Sequence, residues 1–106
     1  MRLGADRVKD VNAQKLLKVF ENLQFKEGET IDHFGMRITN LVANLKTLNE
    51  MLDDVHVIKK FLRVVPLCFT SVVVSIKMFC DLKKLTLEEL IGRLRAAEER
   101  LEEKVE

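Results

Sequence analysis

Apolar side chains recur every three or four residues along much of this chain, and that period constrains its fold more than any other feature. The longest stripe follows Thr30 and runs through Ile31, Phe34, Ile38, Leu41, Val42, Leu45 and Leu48. A period of 3.6 residues places such a stripe on one face of an α-helix. Thr30 suits the N-cap position, because its hydroxyl can accept a backbone N–H of the first turn. The sequence therefore predicts a helix from Thr30 that buries one face.

Two further helices are expected, one before this helix in the chain and one after it. The first should cover about residues 6–24, and its core-facing side should carry Val8, Leu16, Val19, Phe20 and Leu23. The other should cover about residues 54–65, with Asp53 or Asp54 as its cap. Its solvated side should carry Lys59, Lys60 and Arg63. It must end before Pro66, because proline lacks the backbone N–H and clashes with the preceding turn.

The last two predicted helices are marked by different signals. Residues 67–79, LCFTSVVVSIKMF, are rich in valine, which favours strands. A lone strand would have no partner, so we predict a helix there. Thr86 and Glu89 form a capping box that begins the fifth helix, since each can satisfy a backbone donor of the other. The expected fold is all-α, a compact bundle of about five helices in a single domain over residues 1–106.

Composition narrows the class of function. The 106 residues are 47% hydrophobic, which is enough for one folded domain. The formal net charge is +1, which gives no support to a basic nucleic-acid-binding face, and we expect no RNA site in this chain. Charged residues interrupt any signal peptide, and no apolar run approaches the roughly 20 residues of a membrane span. The expected location is cytoplasmic and reducing, with no membrane partner.

Residue types that carry out chemistry are few and scattered. His33 and His56 have no cysteines or carboxylates at metal-ligand spacing around them, so we expect no metal. Cys68 lacks the neighbouring base that would make it a nucleophile. Together with Cys80 it is expected to be a small, buried or half-buried free thiol. The sequence thus predicts a helical interaction domain and not an enzyme, with no cofactor and no small-molecule substrate.

A polar turn, KEGET, lies directly before the helix that begins at Thr30, and it places Glu29 eight residues before Arg37. Two interpretations stay open at this point. The two residues form a structural pair, or they are surface charges beside an ordinary helix cap. Gly35 lies inside the apolar stripe and costs about 1 kcal/mol relative to alanine. It either allows close packing of another backbone or is a tolerated weakness, and we favour the second interpretation.

Three segments carry a resemblance to a known family: VFENLQFKEGETIDHFGMRITNLVANLKTLN, VIKKFLRVVPLCFTSVVVSI and LTLEELIGRLRAAEERLEE. Over about residues 19–103 the chain resembles the Gag polypeptide of copia-type LTR retrotransposons. The same order of elements is similar to the carboxy-terminal capsid lobe of the domesticated neuronal capsid protein Arc. The resemblance implies a fold like the retroviral-capsid C-terminal domain over residues 26–105, preceded by a leading helix in residues 1–25.

The turn and the helix after it also resemble, more distantly, the major homology region of retroviral capsids. Glu29, Phe34 and Arg37 match its glutamate, aromatic and arginine. Thr30 completes the motif as the helix cap, while Phe25 stands at the position of its glutamine. The resemblance implies that Glu29 holds the turn, that Arg37 hydrogen-bonds back to it, and that Phe34 anchors the helix in the core.

The resemblance further implies a structural role. Carboxy-terminal capsid domains self-associate and help to build the shell around the RNA of the element. The implied partner is therefore the chain itself, in a homodimer or a higher capsid assembly within virus-like particles. The chain contains neither the tryptophan-containing upstream region of these Gag proteins nor a zinc knuckle, so RNA packaging would belong to full-length Gag. The alternative is a domesticated, gag-derived adaptor domain that dimerises and binds a host protein.

The implied contact surface lies on the third helix. Val57 and Val64, seven residues apart, are expected to form a stripe partly outside the core group that contains Phe61, and this spacing suits a partner helix. The corresponding helix forms the two-fold contact in retroviral capsids. The candidate self-association residues are therefore Val57, Phe61 and Val64, with Leu17 of the first helix as an alternative position. A second interpretation, in which the valines only widen the core stripe, stays open.

Overall fold

The computed structural model describes residues 3–50 and 52–103. Within these two ranges the chain forms five α-helices and one short 3-10 turn, and it forms no β-strand. The elements are α1 (Leu3–Glu21), α2 (Ile31–Thr47), α3 (Asp54–Val64), the 3-10 turn (Leu67–Phe69), α4 (Thr70–Phe79) and α5 (Leu87–Glu103). The predicted all-α fold is confirmed, including a helix in the valine-rich segment.

The core forms where the apolar faces of α2, α3 and α5 meet. The largest fully buried side chains are Phe20, Ile31, Phe34, Ile38, Leu45, Ile58, Phe61, Leu90 and Leu94. The period of the α2 stripe explains its share of this set, because a 3.6-residue repeat turns the same face inwards along the whole helix. Burying each such side chain contributes roughly 1.5–3 kcal/mol, so this face of α2 is a main source of stability.

The leading helix turns a different face to the core than the sequence predicted. It ends at Glu21, three residues before the expected end. Val8 and Val19 were expected to face the core but are exposed, whereas Ala13 is buried together with Phe20. Ala13 and Phe20, two turns apart, define the buried side, and the two valines lie roughly a quarter turn or more away around the helix. The prediction for the two valines is therefore wrong.

Gly35 is buried at the contact between α2 and α5. A Cβ atom placed on it would lie 2.9 Å from Cδ1 and 3.2 Å from Cγ1 of Ile91, closer than ordinary van der Waals contact. The missing side chain therefore makes room for Ile91 where the two helices cross. The favoured interpretation of Gly35 as a tolerated weakness is wrong, and close packing is the correct one, against a side chain of α5.

The short helix α3 is held from the side of α1. Asp53 stands at its N-cap position but makes no side-chain capping hydrogen bond. Lys60, predicted to face water, is buried, and its Nζ donates to the backbone carbonyl of Glu21 at the end of α1. Desolvation lowers the pKa of Lys60. Carbonyl groups at a helix C-terminus carry partial negative charge, so the ammonium group is stabilised there in spite of its burial.

The start of α5 is the predicted capping box. The Glu89 N–H donates to Thr86 Oγ1 at 3.1 Å, and the Thr86 N–H donates to Glu89 Oε1 at 3.3 Å. Farther along, α5 reaches back to the start of α2, where Glu98 Oε2 accepts the N–H of Ile31 at 2.9 Å. A carboxylate at a helix N-terminus is stabilised by the helix dipole, so this contact fixes α5 against α2.

No single helix among the described residues has the length and the apolar content of a membrane-spanning segment. The pair formed by α3 and Leu67–Phe79 reaches that length and content only jointly, and its two parts are bent by 113°. The break between them contains Pro66, which cannot continue α3.

Candidate functional site

A tight turn between α1 and α2 places the carboxylate of Glu29 over its own backbone. Gly28 has a φ of 75°, in the left-handed region that glycine adopts without steric cost. The Glu29 N–H donates to the Lys26 carbonyl at 3.0 Å, and the Lys26 N–H donates to Glu29 Oε1 at 2.9 Å. The turn therefore presents Glu29 as an acceptor at the entrance to α2.

We expect Gly28→Ala to lower the free energy of unfolding by about 1–2 kcal/mol, because a Cβ disfavours the left-handed conformation. Space is not the cause, since a Cβ at this position would meet nothing within 4 Å. Chemical denaturation of the two chains measures the difference. Gly92→Ala, an exposed glycine inside α5, is the control and should instead stabilise by up to about 1 kcal/mol.

Glu29 and Arg37 form a two-pronged ion pair. Nε of Arg37 donates to Glu29 Oε2 at 2.7 Å, and Nη2 donates to Glu29 Oε1 at 2.7 Å. The side chain of Glu29 is 2% exposed and that of Arg37 is 27% exposed. Nη2 of Arg37 also donates to the backbone carbonyl of Gln24 at 2.8 Å. A bidentate guanidinium–carboxylate pair fixes orientation as well as charge, so α2 is locked to the turn on both sides of Gly28.

These contacts set the charge state of Glu29. The hydrogen bonds from Arg37 lower the pKa of Glu29 to about 2, with help from the Lys26 N–H and His33, while burial opposes the shift. Nδ1 of His33 lies 2.6 Å from Glu29 Oε2. The same pair raises the pKa of Arg37. Both oxygens of Glu29 are therefore engaged, and the carboxylate stays ionised throughout the physiological range.

Below the ion pair, three phenylalanines stack into the core. The rings of Phe25 and Phe34 are parallel within 15°, with centroids 4.0 Å apart, and Phe61 meets Phe34 edge-on at 4.9 Å. The guanidinium of Arg37 lies 5.2 Å from the centroid of the Phe34 ring. Phe25, which stands at the glutamine position of the major homology region, therefore contributes packing. The polar contact on this side comes from the backbone of Gln24, which sequence reasoning did not anticipate.

The structure brings the four motif residues together. Arg37 contacts both Glu29 and Phe34 as described, and Thr30 Oγ1 accepts the His33 N–H at 3.1 Å as the cap of α2. The cluster lies where α2 leaves the turn, with Phe34 fully buried. The part that this cluster plays as a capsid motif remains a prediction.

The candidate self-association residues are not brought together on a surface. Val57 is 2% exposed and Phe61 is fully buried, so both belong to the core. Val64 and Leu17 are half-buried and pack against the core. The reason is that α3 is covered by α1, α2 and α5 at once, through Phe20, Phe34 and the α5 contact. Placing Val57 partly outside the core was wrong, and a charge at Val57 would test the core and not an interface.

The most exposed apolar segment lies elsewhere, on the 3-10 turn and α4. Leu67, Val74, Met78 and Phe79 are all exposed, and Ile76 is the one buried residue of α4. The sequence pattern predicted only a helix for this segment. A usable signal was present, because residues 70–79 contain one charge and no carboxylate, whereas a helix with a single solvated face is normally richer in polar residues.

The two cysteines lie at the ends of the same segment, and both are free thiols. Cys80 is half-buried as predicted, but Cys68, the middle residue of the 3-10 turn, is exposed. Across the described part of the chain, no three histidine, cysteine or acidic side chains are close enough to hold a metal ion.

Taken together, the fold and the site define a small helical domain in which the carboxylate of Glu29 holds a turn in place, and in which a separate helix, α4, exposes apolar residues. The chain belongs to the family described as gag-polypeptide of LTR copia-type, whose model matches residues 6–106. This confirms the family resemblance read from the sequence. No curated protein and no solved structure matches the chain. The likeness to retroviral capsids and to Arc therefore stays a prediction.

Proposed function

We propose that this chain is a structural self-association domain of a retrotransposon Gag capsid protein and contributes to the assembly of virus-like particles. The observation that carries the proposal is the gag-polypeptide match, which extends over residues 6–106. On this proposal the partner is the chain itself, in a homodimer or a higher assembly. The location would be intracellular, within the particles, and packaged RNA would be bound by other parts of full-length Gag.

The site chemistry supports a structural role over a catalytic one. A general base needs a pKa near the working pH and a free lone pair directed at substrate. The pKa of Glu29 is about 2, and both of its oxygens accept hydrogen bonds from the protein. Glu29 therefore holds the turn and is not available as a general base. This favours a protein that acts through a binding surface.

Static light scattering across concentration and salt tests the proposal. The monomer has a mass of 12.3 kDa, and we expect the weight-average mass to rise above it with concentration and to pass beyond the dimer. A mass of 12.3 kDa at every concentration would overturn the proposal. A mass that stops at the dimer would favour the domesticated adaptor, the alternative reading of the same family.

A further inference from the structure

The 3-10 turn and α4 carry a line of exposed residues directly opposite the core. With Ile76 facing inwards, Leu67, Ser71, Val74 and Met78 fall on the outer side of the helix at steps of four, three and four residues. We call these four residues the α4 seam. Alternating steps of three and four are the spacing with which one helix packs along another.

The surface beside the α4 seam is shaped to extend such a contact. A groove of about 490 Å³ separates α4 from α5 and is lined by Ser71 and Ser75 of α4 and by Arg93, Ala96, Ala97 and Arg100 of α5. The small residues let a neighbouring chain approach closely. The cations Arg93 and Arg100 lie off the line of the seam, which itself carries no charge.

The chemistry of the seam favours a second copy of the same chain as its occupant. Other exposed large apolar residues in the described ranges are Phe79 at the end of α4, Met36 on α2, and Val8, Val11 and Val19 on α1. Met36 is isolated, and the α1 valines are interspersed with Asp10, Lys15 and Lys18. The longest uncharged strip that a copy can offer is therefore its own α4 seam. An isologous two-fold contact buries both strips at once and brings no like charges together on the seam.

We propose that the α4 seam pairs with the α4 seam of a second copy across a two-fold axis. The proposal rests on the self-association role proposed above and specifies its surface. A stable interface buries roughly 800 Å² per partner, whereas a ten-residue helix is only about 15 Å long. The contact must therefore extend from the seam onto the small residues of the groove, among them Ser75 and Ala96. We expect this two-fold contact to be weak, with a dissociation constant on the order of 10–100 µM, and to be one of the contacts within the larger assembly.

Two double variants with the same changes in residue type test whether association depends on the seam or on exposed apolar residues in general. Val74→Asp with Met78→Asp places carboxylates on the seam, at residues that are 48% and 70% exposed. Val19→Asp with Met36→Asp makes the same changes at 51% and 65% exposure, away from α4. Sedimentation velocity gives the dissociation constant of each. We expect the seam variant to raise it at least 30-fold, since each contact would bury unpaired charge, and the control to change it less than threefold.

The outcomes distinguish this proposal from the proposed function. If the parent associates and both variants associate equally well, self-association stands and the seam is the wrong surface. If the parent stays monomeric, the proposed function itself fails. Circular dichroism confirms that the variants are folded, and seam residues should tolerate the change because they are exposed in the monomer.

Cysteine cross-linking gives an independent measurement that does not depend on weakened binding. In a Cys68→Ser, Cys80→Ser chain, Val74→Cys should form disulfide-linked dimers under mild oxidation, because Val74 lies near the middle of the seam and close to its symmetry mate. Met36→Cys in the same chain should stay monomeric. Equal cross-linking of the Val74→Cys and Met36→Cys chains would overturn the proposal. So would binding of the parent to phosphatidylserine vesicles that is lost in the seam variant and kept in the control variant.

Discussion

Replacing Arg37 by alanine is expected to lower the free energy of unfolding by about 2–4 kcal/mol, because the buried Glu29 carboxylate loses its charged partner. The remaining donors to Glu29, the Lys26 N–H and His33, cannot replace a bidentate guanidinium. The lost hydrogen bond to the Gln24 carbonyl also frees the far side of the turn. In a domain of this size the melting temperature should fall by roughly 10–20 °C. Urea denaturation at neutral pH measures the change.

Arg95→Ala is the matched control for this experiment. Nε of Arg95 also donates to a carboxylate at 2.7 Å, that of Asp32, but both side chains are exposed. An exposed pair contributes about 0–1 kcal/mol, so this variant should be nearly as stable as the parent. If Arg37→Ala and Arg95→Ala cost the same, the Glu29–Arg37 pair would be no more than two surface charges.

The same ion pair should make the domain sensitive to acid. The pKa of Glu29 is about 2 in the folded chain against a reference value of 4.5, so its stabilising contribution is fully present above pH 4.5. As pH falls from about 4.5 to about 2, the unfolded chain takes up the proton first and the contribution is lost. A shift of this size corresponds to roughly 3 kcal/mol. Urea unfolding at a series of pH values measures the slope.

Glu29→Gln isolates this effect from the titration of other carboxyl groups. The amide keeps the shape of the side chain but has no proton to gain in this range. We expect Glu29→Gln to be less stable than the parent at pH 6 and to lose about 3 kcal/mol less on acidification to pH 2. Parallel pH curves for the two chains would show that Glu29 titrates normally in the folded protein.

Local signals in the sequence predicted most of the fold. The helix caps at Thr30 and in the Thr86–Glu89 box are hydrogen bonds between residues three positions apart, and the structure shows both as expected. The apolar stripe of α2 likewise faces the core along its length. Helix caps and apolar periodicity each depend on residues of one helix, so both can be predicted from the sequence without knowing which other helices pack against it.

Features that depend on two distant segments were not predictable in this way. The contact between Glu98 and the Ile31 N–H joins residues 67 positions apart, and Lys60 reaches a carbonyl 39 positions away. Gly35 could not be interpreted without knowing that Ile91 lies against it. The error over Val57 has the same origin, because a helical wheel shows which residues share a face but not how many neighbours cover the helix.

The candidate site likewise has one part that local spacing predicted and one part that it did not. The spacing of Glu29 and Arg37 predicted that they could meet, whereas the stacking of Phe25 on Phe34 follows only from the path of the turn. The exposed face of α4 was missed because apolar residues are usually assigned to the core. Burial has to be seen before an unpartnered apolar face can be recognised.

We infer that the polar turn stabilises the domain and that a separate surface makes the contact between copies. Sedimentation velocity of the parent and of Arg37→Ala, over a concentration series at a temperature where both are folded, tests this most directly. We expect both chains to move from monomer to larger species with the same dissociation constant, although Arg37→Ala is less stable. A parent that remains monomeric, or a folded Arg37→Ala chain that no longer associates, would contradict it.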